Sequence, residues 1–219
     1  MPKPLSPSPA LSIKGVPSDQ LAELRRAASD YVLRATGCVL DGSEESLAYV
    51  DYYLDRLRAD PPQQADALRL VAYALGVYLG DLAIARFGGR WLAQPAADAA
   101  EGEDPTLTPM TWRVDLDAVP LRFDPIGMAA VALSQLGTAT PAPDEAEDDG
   151  ITLRPGGRGL QAALQDALSR TAPVSADYYY SFTGRFETLA HVVELVLDLQ
   201  QQRAAQQASE DESAGSLLH

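Results

Sequence analysis

Apolar residues recur along this chain mostly at helical spacing, and only short stretches alternate in the strand sense. After Pro17, Ser18 stands where a helix cap is expected, and Leu21, Leu24, Ala28, Tyr31 and Ala35 form one stripe that Gly37 closes. A second stripe, Leu47, Val50, Leu54 and Leu57, follows an acidic first turn at Glu44 and Glu45 and ends at Asp60-Pro61-Pro62.

The third segment, 63–87, differs in kind. From Leu70 to Ile84 it is apolar on nearly every side, which predicts a central buried helix rather than a surface one. Ala72, Gly76 and Gly80 lie four residues apart on it, a strip of small residues against which another element can approach closely. Each glycine costs a helix about 1 kcal/mol relative to alanine, so two of them require a packing or functional reason. Asp81 ends the run and, if buried, needs an arginine or a backbone donor. The run is read as too short and too interrupted for a membrane span.

Gly88-Gly89 breaks this helix and Arg90-Trp91-Leu92 reads as a short strand. Thr111 to Leu116 alternates, with Leu121 to Phe123 as its hairpin partner across Asp117 to Pro120. Asp124-Pro125 opens a helix that carries Ile126, Ala129, Ala130, Leu133 and Leu136. Ile151 to Leu153 is a further short strand, Leu160 to Leu168 a short helix, and about 182–206 a last long helix with a polar, Gln-rich end. The pattern predicts an α+β fold dominated by helices: a central apolar helix, about five others, and a small antiparallel sheet.

Charge changes this picture less than its total suggests. The formal charge is −14, but twelve acidic residues sit in three runs, within 98–104, 144–149 and 210–212, among Pro, Ala, Gly and Ser. They read as solvated linkers and a tail. The expected organisation is a disordered segment 1–17, one domain over 18–206 with flexible acidic linkers at 95–109 and 138–150, and a disordered tail 207–219. Two lysines, Lys3 and Lys14, and no basic cluster argue against nucleic acid. Arginine in place of lysine, with abundant alanine, suggests a GC-rich bacterial source. With one cysteine, Cys38, and no apolar leader in the first residues, the expectation is a cytoplasmic protein with no membrane association.

Candidate chemistry is sparse. His191 and His219 are the only histidines, so neither a catalytic triad nor a metal site is expected, and no cofactor. Asp51 and Asp55 share a helix face with Arg56 and Arg58 nearby, the look of a solvated surface. The Arg154 to Gly159 run has the parts of an anion site but reads better as a basic connector beside the acidic linker.

Tyrosine stands out, with nine copies, eight of them grouped as Tyr49, Tyr52 and Tyr53, as Tyr73 and Tyr78, and as Tyr178, Tyr179 and Tyr180. Tyr49, Tyr52 and Tyr53 span nearly half a helix circumference, so at least one must leave the core. The candidate binding set is therefore Tyr49, Tyr52, Tyr53, Asp81, Arg90, Trp91 and Asp124.

The stretch Tyr78-Leu79-Gly80-Asp81 through Gly88-Gly89-Arg90-Trp91, followed by Phe123-Asp124-Pro125-Ile126-Gly127, resembles uncharacterised bacterial proteins. In these an apolar helix with a Y-x-G-[DE] element leads into G-G-x-W and a short F-x-P-x-G element. Asp81 stands where such proteins often have Glu. The resemblance covers about fifty residues and brings no activity with it, but invites comparison with immunity and adaptor proteins. The expectation is a non-enzymatic interaction protein with a protein partner, which includes a second copy of itself. The alternative is an enzyme or small-ligand binder using Asp81, Asp115 or Asp124 with Arg90, Arg113 or Arg154.

Overall fold

Helix α3 (Ala65–Phe87) is the element around which the others are laid. Its length and apolar composition would suffice to cross a membrane, contrary to the sequence expectation; here 61% of its most apolar stretch is covered by the protein itself. Helix α1 (Ser18–Thr36) and helix α4 (Pro125–Ser134) pack along it, and a sheet lies at its C-terminal end. The computed structural model describes residues 14–60, 65–94, 104–134, 150–172 and 174–216.

The sheet has five strands, all antiparallel and in chain order: β1 (Lys14–Gly15), β2 (Gly89–Ala93), β3 (Trp112–Leu116), β4 (Leu121–Phe123) and β5 (Ile151–Leu153). Alternation divides its faces as a period of two requires. Trp112, Val114, Leu116, Leu121 and Phe123 are buried in the core, while Arg113 and Arg122 stand on the opposite face. Register there places Arg90 opposite Asp115, Asp115 opposite Arg122, and Arg122 opposite Thr152.

Helix α2 (Leu47–Ala59) follows a single 3-10 turn, and buries Leu47, Val50, Tyr53 and Leu54. The chain closes with α5 (Gln161–Ser169), the single turn α6 (Ala176–Tyr179) and the long α7 (Phe182–Ser216). The last of these buries Phe182, Phe186, Leu189, Val193 and Val196 against α2, α3 and α4. The architecture is the expected helix-dominated α+β fold.

Several boundaries differ from expectation. Lys14–Gly15 is an edge strand on β2 rather than part of a disordered segment, because the free edge at Leu92 and Ala93 offers backbone partners. In the expected linker 95–109, Asp104 accepts from Thr106 N–H (3.1 Å) and starts a 3-10 turn whose Pro105 is buried. Helix α7 continues to Ser216, past the expected end near 206. Pro17, not Ser18, is the cap position of α1, its carbonyl accepting from Leu21 N–H at 3.2 Å. The expectations for 1–13, 95–103, 138–149 and 217–219 lie outside the described residues, as does the continuation of α4 to Leu136.

Candidate functional site

The glycines of α3 explain themselves through what they touch. A Cβ at Gly76 would lie 2.6 Å from Ile126 Cα and 2.9 Å from the Pro125 carbonyl, and one at Gly80 would clash with Cζ2 and Cη2 of the Trp91 ring. Both positions are thus occupied space: α4 crosses α3 at backbone contact, and the Trp91 ring of β2 fills the place where a side chain of residue 80 would be. Asp81, the next residue, completes the joint. Trp91 Nε1 donates to Asp81 Oδ1 (3.0 Å), Arg25 Nη2 of α1 donates to the same oxygen (2.9 Å), and Arg25 Nε donates to Oδ2. One carboxylate therefore ties α1, α3 and β2 together.

Residues from each of the short motifs singled out in the sequence lie at this joint or beside it. The Y-x-G-[DE] element supplies Tyr78, Gly80 and Asp81; the G-G-x-W element supplies Trp91; and the F-x-P-x-G element supplies Pro125 and Ile126. Tyr78 is buried, bonded through its hydroxyl to Ser46 and to the Gly42 N–H (3.2 Å), and its phenol is pushed above its ordinary value of 10.0, chiefly by burial.

Placement separates the sequence candidates into groups. Trp91 is buried, and Asp81, though partly exposed, is engaged by Arg25 and Trp91. Tyr53 is also buried, because it shares a stripe with Val50 and Leu54. Burial pushes its phenol up in the same way. Asp124 accepts from Gly127 N–H (2.7 Å) at the start of α4 and pairs with Arg113 (3.0 Å). Arg90 is exposed at the sheet's polar face. Tyr49 and Tyr52 remain, 43% and 46% exposed, one turn apart on the outer face of α2.

The carboxylates and arginines of the alternative reading do gather around the sheet, but on each other. Asp115 is 4% exposed and accepts from Arg122 Nε and Nη2 (2.6 and 3.1 Å), with Arg154 Nη1 at 3.7 Å. Arg154 also donates to the Leu116 and Val119 carbonyls (2.6 and 2.9 Å), which staples the β3–β4 turn. The expected basic connector is in this respect a clamp on the hairpin. Asp81 is not part of this group.

A feature that sequence reasoning missed lies beside Tyr52. Asp51, taken from sequence as part of a solvated face, accepts from Phe182 N–H (2.6 Å), Thr183 N–H (3.2 Å) and the Thr183 hydroxyl (2.6 Å), and so caps the N-terminus of α7. The two segments meet in a cleft of about 470 Å³, lined by Asp51, Asp55 and Arg58 of α2 and by Asp177, Tyr178 and Thr183. Arg58 pairs with Asp55, which leaves the cleft acidic. Tyr178 is 38% exposed at its rim, and its hydroxyl donates to Glu187, a contact that raises its pKa. The signal that could have found this cleft is Ser175, which caps α6 by accepting from Tyr178 N–H (3.4 Å) and turns Asp177 and Tyr178 toward α2. A separate groove of about 560 Å³ is apolar, lined by Leu68, Ala72, Tyr73, Met110, Ala130 and Leu133.

His191 is half-buried with Nε2 3.3 Å from the Thr171 hydroxyl, and no group of three or more metal-ligating side chains occurs among the described residues. No family model, curated protein or solved structure matches the chain.

Proposed function

We propose that the chain is a non-enzymatic interaction protein, of the immunity or adaptor kind, and that it holds a protein partner on the outer face of α2 and the adjoining acidic cleft. The observation that carries this reading is the pair Tyr49 and Tyr52, 43% and 46% exposed on a helix whose opposite side is core. Tyrosine offers large contact area at low entropic cost and a polar tip, which favours it at the centre of interfaces. Tyr52 stands one turn before Asp55, so aromatic surface runs directly into the cleft of Asp51, Asp55 and Asp177. A partner that presents a basic side chain between apolar contacts suits that chemistry.

The enzyme reading has less to stand on. Asp81, Asp115 and Asp124 are each engaged by arginine within the fold, and none of them lines either cleft described above.

The test compares capture by the tagged full-length protein and by its Tyr49→Ala/Tyr52→Ala variant from a lysate of the source organism, with circular dichroism to show that both are folded. Exposed positions of this kind should leave stability within about 0.5 kcal/mol. A captured protein whose affinity falls at least tenfold in the double variant supports the proposal. Equal capture by both forms, or no specific capture by either, overturns it.

A further inference from the structure

Arg185 is the fourth residue of α7 and shares a stripe with Phe182 and Leu189, so helix geometry carries it inward with them. It is 5% exposed, the most deeply covered arginine among the described residues. Its guanidinium carbon stands 4.3 Å from the centre of the Tyr179 ring and 5.1 Å from that of Tyr180, and the two rings meet edge to face. Among the described residues its side chain makes no ion pair and no hydrogen bond, and its Nε is sealed from solvent without a partner.

Arginine does not shed its proton in a protein, so this is a buried positive charge whose companions among the described residues are two neutral rings. Ring faces attract a cation but accept no N–H bonds in the guanidinium plane. The neighbouring carboxylates are spoken for: Asp51 binds the first amides of α7 and Glu187 accepts from Tyr178. Every other well-covered arginine described above, Arg122 and Arg154 included, has oxygen acceptors. A buried guanidinium with unfilled donors in its plane and aromatic rings stacked on it is what remains when an oxyanion is taken away from its receptor. Tyr179 and Tyr180 are themselves only half-buried, which gives the cage a side toward solvent.

We infer that Arg185, held by Tyr179 and Tyr180, is a binding site for an oxyanion, a carboxylate or phosphate group that accepts from the edge of the guanidinium. The site does not depend on the α2 surface proposed above.

The experiment follows thermal unfolding of the full chain in millimolar inorganic phosphate, in acetate and in chloride at constant ionic strength, for the wild type and for Arg185→Met. Phosphate or acetate at about ten times its dissociation constant should raise the wild-type Tm by about 3–5 °C over chloride. The responding anion tells a phosphate from a carboxylate receptor. Arg185→Met keeps the volume, removes the unpaired charge, and should melt at or above the wild type in chloride while losing the anion response. If it does not fold, Arg185→Lys carries the test, with the response cut at least by half because the planar fork is gone. Identical wild-type melting in all three salts overturns the inference, and so does a response that survives in the variants undiminished.

Discussion

Adding one methyl group at Gly76 or Gly80 sets two effects of known sign against each other. Alanine is the better helix former by about 1 kcal/mol, so on propensity alone Gly76→Ala and Gly80→Ala both stabilise α3. Space decides otherwise. At Gly76 the new Cβ meets backbone, Ile126 Cα at 2.6 Å and the Pro125 carbonyl at 2.9 Å, so relief requires α4 to move as a body. At Gly80 it meets the Trp91 ring, which cannot swing aside: Asp81 holds its indole nitrogen at 3.0 Å, and Trp112 abuts it edge to face at 6.5 Å between centres. Overpacking of this kind costs about 1–3 kcal/mol, and contacts with backbone and a pinned ring belong at the upper end. The net expectation is a loss of about 1–2 kcal/mol for each variant. For a chain of this size that lowers Tm by about 2–8 °C.

Gly156 is the control, since a Cβ there meets nothing within 4 Å and Gly156→Ala should be neutral or slightly stabilising. Urea unfolding by circular dichroism measures all three. Gly76→Ala and Gly80→Ala as stable as the wild type, or more so, would refute the account of the small-residue strip as a crossing point.

Two further outcomes follow from the same geometry. Asp51→Ala removes three acceptor contacts at the start of α7 and should cost about 1–2 kcal/mol, read by urea unfolding, whereas Asp55→Ala, whose partner is the exposed Arg58, should cost less than about 0.5 kcal/mol. Alkaline titration should show stability falling as pH rises above about 10. Tyr78 and Tyr53 have folded pKa values above the ordinary 10.0, so the native state retains protons that the unfolded chain gives up. Their contribution is complete below pH 10 and is lost as pH climbs through the raised values. Tyrosinate absorbance that appears in step with unfolding agrees with this, and full ionisation while the fold persists contradicts it.

Periodicity showed that α3 has no polar face, a property that a core helix shares with a membrane span, and it was the packing of α1, α4 and the sheet on it that made it the core helix; alternation alone marked β3 and β4. The same pattern required that Tyr49, Tyr52 and Tyr53 could not all be buried. What it left open was which side faced in, and Val50 and Leu54 drew Tyr53 with them. The small-residue strip with Gly76 and Gly80 and the motif residues Asp81, Trp91 and Pro125 were each visible, but that they meet was not. A small-residue strip has the same sequence whether a ligand or a helix lies upon it, and only the third dimension placed α4 and Trp91 there. Pairings across long separations were likewise decided by tertiary structure: Arg25 with Asp81, Asp51 with the start of α7, and the cleft between α2 and the turn before α7. Arg185 is the clearest case. Its helical position beside Phe182 and Leu189 could be counted from the sequence, but a charge's partners are set by what the fold brings around it, and here, among the described residues, the fold brought two tyrosine rings and no paired acid.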